Sequence, residues 1–350
     1  MVTTEPRIIN ALAATKPGLE VETFQYQARP LGLNDVEVAI SHCGICGSDL
    51  HTITDGWGGG NFPIVVGHEI VGTITAAGSD VKHLKVGDRV GVGAQVYACL
   101  EKDKCKECAT DKDPYCAKHV YTYGGTYADG QPSRGGYADY IRVLSNYAFK
   151  IPEVLPSDVA APLLCAGVTV YTPLKAHVKP GQRVGVVGIG GLGHLALQFI
   201  RALGAEPVAF SRSSNKEQAA RELGAVDFIN LSNTEDAARA QRSVDVLLVT
   251  ADATGQPYDT YLGLIAIGGT FIMVGVPNDA ISFQPFSLIA GAINVVGSLI
   301  GGIKDTEEML KLAAEKNVRP IIQKLPMSEA NKGIKMVDEG HVRYRVVLEN

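Results

Sequence analysis

The sequence has no excess of positive charge: 32 Lys and Arg stand against 37 Asp and Glu, a formal net charge of −5 over 350 residues. It therefore lacks the electrostatic footprint of a nucleic-acid-binding protein. No block of like charges marks an interaction tail or a membrane-surface patch. Residues 1–18 show no basic segment followed by an apolar run, so no secretory signal is read there. Residues 346–350 match no retention or lipidation tail. Residues 280–303 contain no charged side chain, but Gln284, Pro285, Asn294 and four glycines interrupt them. This stretch reads as a buried strand–helix–strand rather than a membrane span. With no signal, the seven cysteines are expected to be reduced thiols in the cytoplasm, and their spacing then speaks of metal binding rather than disulfides.

What is present points to a soluble α/β enzyme acting on a small molecule. Apolar residues make up 46% and charged residues 20%, ordinary values for a globular protein. The length exceeds one hydrophobic core, so two domains are expected. The 39 glycines cluster in turns between apolar runs.

Val36–Ile40 alternates like a half-buried strand and leads into Cys43-Gly44-Ile45-Cys46-Gly47-Ser48-Asp49-Leu50-His51, dense in metal-capable side chains. An apolar strand, Pro63–Val66, then runs into Gly67-His68-Glu69. A histidine on an apolar run is commonly a satisfied core residue; an adjacent Glu and an upstream Cys-rich turn favour a ligand here. Two thiolates and an imidazole hold zinc with a fourth position open for chemistry. Cys165 is the candidate third partner for Cys46 and His68, although a buried cysteine can be only a small hydrophobe. Cys99, Cys105, Cys108 and Cys116 lie in a loop too polar to fold alone. A four-cysteine zinc closes such a loop and leaves no position for substrate, so this cluster reads as structural.

Arg183–Val187 reads as a buried parallel strand. It runs into Gly188-Ile189-Gly190-Gly191-Leu192-Gly193, followed by a helix at 194–203 and a second strand at 207–210. Between strand and helix, G-x-G-x-x-G lets the backbone approach a dinucleotide pyrophosphate. Where an NAD enzyme carries an acid, this chain has Ser211, Arg212, Ser213 and Lys216, with no acid between Glu206 and Glu217. Hydroxyls and cations suit the 2′-phosphate of NADP; the plainer alternative is a solvated turn. Further strands are expected at 244–249, 269–275 and 295–300. The last is a possible edge for pairing with a second subunit. A helix is expected over 305–317, opened by an Asp305/Glu308 capping box.

In the order Cys46–His51, Gly67–Glu69, Cys99–Cys116, Leu164–Thr169, Gly188–Gly193 and Asp338–Tyr344, these motifs resemble the zinc-dependent medium-chain alcohol dehydrogenases. Within them the chain looks most like the NADPH-using cinnamyl alcohol dehydrogenase branch. The resemblance covers nearly the whole chain. It implies an N-terminal, mainly-β GroES-like catalytic domain (1–153, with a zinc lobe at 99–116). A Rossmann domain with a doubly wound parallel sheet (154–300) and a C-terminal return (301–350) would follow. It implies two zinc ions per chain and NADP(H), with Cys46, His68 and Cys165 on catalytic zinc and Glu69 exchanging as a ligand. Asp49 would orient His68. Ser48 would take the alcohol proton and pass it through the cofactor ribose to His51. Thr169, Val274 and Ser298 would lie by the nicotinamide. A homodimer is the expected assembly, and Trp57, Tyr123, Leu299 and Ile300 are candidates for an apolar pocket.

Two departures stand out. The first gap of the zinc lobe holds five residues, Leu100–Lys104, where the family has two; four-fold ligation with a bulged loop is expected, Cys99 being the ligand most affected. Gly47 replaces the His or Arg with which many relatives contact the pyrophosphate. Alternatives are a polyol dehydrogenase of the same fold, which needs a polar pocket, and a zinc-free enone reductase, which would lack Cys46 and His68. A non-catalytic NADPH-binding protein would be expected to lose Ser48, Asp49 and His51.

Overall fold

A computed structural model describes residues 7–278 and 280–350; the first six, part of the segment read for a signal, lie outside the described residues. The chain divides into two compact units. One comprises Met1–Cys165, Gly301–Ala314 and Pro320–Asn350; the other comprises Ala166–Ile300 and Glu315–Arg319.

The first unit is built on a seven-stranded sheet. Six strands run in the order Ile322–Pro326, Arg345–Glu349, Asp35–Ile45, Ile70–Ala77, Arg89–Val92 and Phe149–Lys150, and Tyr140–Leu144 pairs with Asp35–Ile45 off this path. Asp35–Ile45 extends the alternating Val36–Ile40 stretch and is central because Val36, Val38 and Ile40 all enter the core. Its pairing with Ile70–Ala77 shifts register between Ile40 and His42, just before Cys43–Cys46, and such bulges re-aim side chains at strand ends. The helix Ser157–Pro162 packs on both of these strands, which carries the unit on to Cys165.

The helix expected from Asp305 instead spans Ile303–Glu315. A distant partner sets the start: Asp113 Oδ1 accepts from the Ile303 backbone N at 3.2 Å, and the helix begins two residues before Asp305.

The second unit holds six parallel strands. In chain order they are Arg183–Val187, Glu206–Ser211, Asp227–Asn230, Val244–Val249, Ile265–Met273 and Asn294–Gly297, and across the sheet they lie 3-2-1-4-5-6. This is a doubly wound sheet with its switch point beside the first strand. Val184, Val186, Val208, Phe210, Leu247 and Val249 are wholly buried, as strands covered on both faces require. The uncharged stretch 280–303 departs from the expected burial. It forms a short helix, Pro285–Ile289, and the edge strand, with Phe286 and Ile289 each 73% exposed. Having a sheet neighbour on one side only, it turns its apolar side chains to the surface. Among the described residues one helical run, Ser157–His177, is long and apolar enough to cross a membrane, and most of it is buried in the protein.

Candidate metal centre and its surroundings

Cys46 precedes the short helix Gly47–Ile53, and Asp49 in its first turn accepts from the Cys46 backbone N at 2.8 Å. The other Asp49 oxygen accepts from Gly67 N at 3.1 Å. One fully buried carboxylate thus clamps the backbone on both sides of the site. Its distance to His68 Nδ1 is 3.7 Å, a charge contact rather than a hydrogen bond. Gly67 takes a φ of 99°, and a Cβ there would stand 2.6 Å from the Tyr137 ring and 2.7 Å from Cys43 Sγ. Only glycine turns the chain here and sends His68 and Glu69 inward.

Cys165 arrives from a helix broken by a π turn. Ser157–Pro162 is α-helical, Leu163–Gly167 is a π turn, and Val168–His177 resumes the α-helix. Such turns insert one residue and rotate the side chains that follow. Cys165 Sγ lies 3.9 Å from Cys46 Sγ. Cys46, His68, Glu69 and Cys165 are all buried, with ligand atoms within 4.8 Å of one another. His68 Nε2 and Glu69 Oε2 are buried with no hydrogen-bond partner, a cost a cation would relieve.

The charges favour the same occupant. The hydrogen bond with Cys165, together with His68 and Arg345, holds the Cys46 thiol well below its ordinary value. The same contact, with burial, pushes Cys165 up. Burial opposes charge on His68, yet Asp49, Cys46 and Glu69 raise it to about 9. Burial lifts Glu69 to about 7 against the pull of Arg345. A dication balances such a set, and two thiols with an imidazole are the donors zinc takes.

Arg345 was not singled out as a site residue. It opens the last strand, is buried, and pairs its guanidinium with Glu69 Oε1. Its signal was a cation heading the otherwise apolar run Val346–Leu348. Ser48 Oγ lies 3.8 Å from Cys46 Sγ. His51 is three residues further along the same helix and stacks on Trp57 at 4.7 Å. Trp57 itself is 47% exposed, whereas Tyr123 is buried and stacks on His68 at 5.3 Å. Leu299 and Ile300 belong to the second unit.

The second cluster is built on sulfur alone. Cys99–Cys108, Cys105–Cys116 and Cys116–Cys99 are separated by 3.7, 3.8 and 3.6 Å. Four sulfurs about 2.3 Å from a central zinc would stand about 3.8 Å apart, so the set fits that ion. The long first gap is absorbed by Leu100 at φ 53° and a turn closed by Cys105 N to Glu101 O, and Cys99 stays with the group.

In the second unit, the cofactor candidates gather at the carboxyl ends of the parallel strands. Gly188 follows the first strand at φ 93°, and a Cβ on Gly193 would collide with the Gly188 carbonyl. A Cβ on Gly190 would meet nothing, leaving backbone open to a ligand. Ser211 ends the second strand, and Lys216 reaches back to the Ile189 carbonyl at 2.9 Å. Arg212 and Ser213 are exposed. Val274 follows the fifth strand, and Ser298 N donates to Met273 O. Thr169 is buried in the helix Val168–His177. Thr250, not singled out from sequence, holds the glycine turn through the Gly188 carbonyl at 2.7 Å.

Comparison with known proteins agrees with this architecture. Residues 32–153 match the alcohol dehydrogenase GroES-like domain, and residues 191–315 match the zinc-binding dehydrogenase family. A probable formaldehyde dehydrogenase of Bacillus subtilis is 42% identical over 340 residues, covering 97% of this chain and 96% of its own. A cinnamyl alcohol dehydrogenase structure from Sorghum bicolor superposes with a TM-score of 0.94 at 35% identity, covering 98% of both chains. One from Helicobacter pylori, complexed with NADP(H), gives 0.91 at 33% identity over 99% of both.

Proposed function

We propose a specific reaction for a chain that belongs to the zinc-binding medium-chain alcohol dehydrogenases, in their cinnamyl alcohol dehydrogenase-like branch. It interconverts primary alcohols and aldehydes with NADP(H), working mainly as a cytoplasmic reductase of aromatic and medium aliphatic aldehydes. The observation that carries this reading is the buried set Cys46, His68 and Cys165, with Glu69 beside it and His68 Nε2 lacking any protein partner.

These side chains would hold a zinc ion, and Cys99, Cys105, Cys108 and Cys116 a second. Bound there, zinc supplies Lewis acidity toward an alcohol or carbonyl oxygen, and the nicotinamide supplies or accepts the hydride. The rest is the work of this chain. Asp49 fixes the backbone at Cys46 and Gly67, holding both ligand-bearing turns in register. Ser48 Oγ, beside Cys46, takes or gives the substrate proton. His51, on the same helix face, carries it toward solvent at its ring nitrogen. Arg345 keeps Glu69 in place at the edge of the donor set. The glycine turn 188–193 receives the pyrophosphate, and Arg212, with Ser211, Ser213 and Lys216, receives the 2′-phosphate. Thr169, Val274 and Ser298 border the nicotinamide. Trp57 and Tyr123 in the first unit, and Leu299 and Ile300 in the second, are the apolar candidates for substrate contact. The exposed Phe286 and Ile289, on the helix before the edge strand Asn294–Gly297, and the exposed Val295 within that strand suit a homodimer.

The test joins metal analysis to cofactor oxidation with cinnamaldehyde, benzaldehyde and hexanal. Near two zincs per chain and NADPH-dependent turnover are expected. Alcohol oxidation with NAD favoured by more than about tenfold would overturn the reductase reading. Faster oxidation of a polyol than of cinnamyl alcohol would replace the substrate class.

A further inference from the structure

The first unit holds a cavity of about 250 Å³ that shares no lining residue with either donor set. Its walls come from the end of the strand Glu22–Gln27, from the turn 126–132 and from the strand Tyr140–Leu144. Ile9, Ala28 and Ile141 line it with hydrocarbon. Three guanidiniums border the same space, and two are neutralised. Arg29 pairs with Asp35 at 2.8 Å, and the buried Arg142 pairs with Glu37 at 2.7 Å. The third, on Arg134, has no carboxylate or hydrogen-bond partner among the described residues. It lies over the rings of Tyr26 and Phe24, 4.7 and 5.4 Å from their centres. Stacking covers the face of a guanidinium and leaves its edge N–H donors open.

Two more acids act on this region, Asp139 on Tyr26 and Asp129 on Tyr127. Their oxygens are engaged elsewhere, Asp139 with Asn10 Nδ2 at 2.7 Å and Asp129 with Gln131 N at 3.0 Å. Tyr26 and Tyr127 add phenols, which burial holds protonated well above their ordinary value. The backbone that carries Arg134 is fixed. Gly135 N donates to Val65 O and Gly136 N to Gly67 O, each at 2.8 Å, and a Cβ on Gly135 would collide with the Val66 backbone. A donor carried on fixed backbone loses little freedom when it binds.

We propose that this cavity is an accessory site for a single-ring aromatic monocarboxylate of the size of benzoate. The carboxylate takes the open edge of Arg134, the bidentate pairing that a guanidinium favours, and the ring lies against Ile9, Ala28 and Ile141. One unneutralised cation matches one negative charge, and the apolar lining asks for a hydrocarbon body. A space below that of drug-sized pockets limits the body to one ring. The site stands apart from the metal centre and from the reaction proposed above.

Isothermal titration of benzoate into the purified protein should give a Kd below about 1 mM. Benzamide, with the ring but no charge, and inorganic phosphate, with charge but no ring, should each bind at least about tenfold more weakly. Arg134→Met keeps packing on Tyr26 but loses the charge, and should weaken benzoate about 10- to 100-fold. Arg134→Lys should recover part of that loss. Circular dichroism and metal content equal to the parent's would separate these losses from misfolding. Should Arg134→Met fail to fold, the unmutated protein still decides, because benzoate should slow amide exchange at 127–134. No binding, or binding without slowed exchange there, would overturn the proposal. Binding that Arg134→Met leaves unchanged would place benzoate elsewhere and overturn it too. Phosphate or benzamide binding as tightly as benzoate would overturn the ligand class.

Discussion

The same substitution at two glycines twenty positions apart should act with opposite sign. Gly67 has a φ of 99°, and an added Cβ would meet the Tyr137 ring at 2.6 Å and Cys43 Sγ at 2.7 Å. Neither neighbour can yield, since both are wholly buried. The left-handed backbone costs an L-residue about 1–2 kcal/mol. Overpacking a closed core adds about 1–3 kcal/mol. Gly67→Ala should therefore destabilise by about 2–5 kcal/mol, a large part of a typical total. The strain also pulls Gly67 N from Asp49 and moves His68, so the buried site should lose its metal while the cysteine lobe keeps its own. At Gly47, an added Cβ meets nothing within 4 Å and φ is not left-handed. Gly47→Ala, inside a helix, should stabilise by about 0.4–1 kcal/mol by restricting the unfolded chain. Urea titrations monitored by circular dichroism give both energies, and metal per chain by mass spectrometry gives the occupancy. A Gly67→Ala protein within about 1 kcal/mol of the parent and holding its full metal would refute the steric argument.

Two further predictions concern charge. Arg345→Met leaves the Glu69 carboxylate buried without its cation and should cost about 3–5 kcal/mol in denaturant unfolding; Arg345→Met with Glu69→Gln should recover part of that loss. Arg212→Ala should weaken NADPH binding by about 10- to 100-fold, the worth of a charge-assisted hydrogen bond, and leave NADH binding within about twofold. Isothermal titration with both cofactors checks it, and equal losses for the two would remove Arg212 from the phosphate site.

Much of the fold is legible in residue order because it rests on local patterns. The almost continuously apolar runs at Arg183–Val187 and Val244–Val249, broken only by Arg183 and Asp245, are strands because buried parallel sheets need both faces apolar. Gly188 and Gly193 mark the turn between strand and helix because its left-handed φ and its close backbone approach require them. The GroES-like and Rossmann pairing follows from motifs in series. In the metal centre, Cys46 and His68 stand out because metal-capable side chains at a strand end are conspicuous in any sequence. Cys165 does not, since its surround is that of a core cysteine.

Partners from afar lay beyond such patterns. Local spacing placed a helix start at Asp305, but Asp113, 190 residues earlier, caps it at Ile303. Pro162 lies within the helical run toward Cys165, yet only the folded chain shows the π turn that follows it. Arg345 meets Glu69 across 276 residues, a pairing set by which strands adjoin. The uncharged stretch 280–303 looked buried by composition, and its place at the sheet edge exposes it. Periodicity and turn chemistry are set by neighbours along the chain and can be read there. Caps, buried ion pairs and the burial of a given face depend on which elements come to lie together, and those are properties of the tertiary structure.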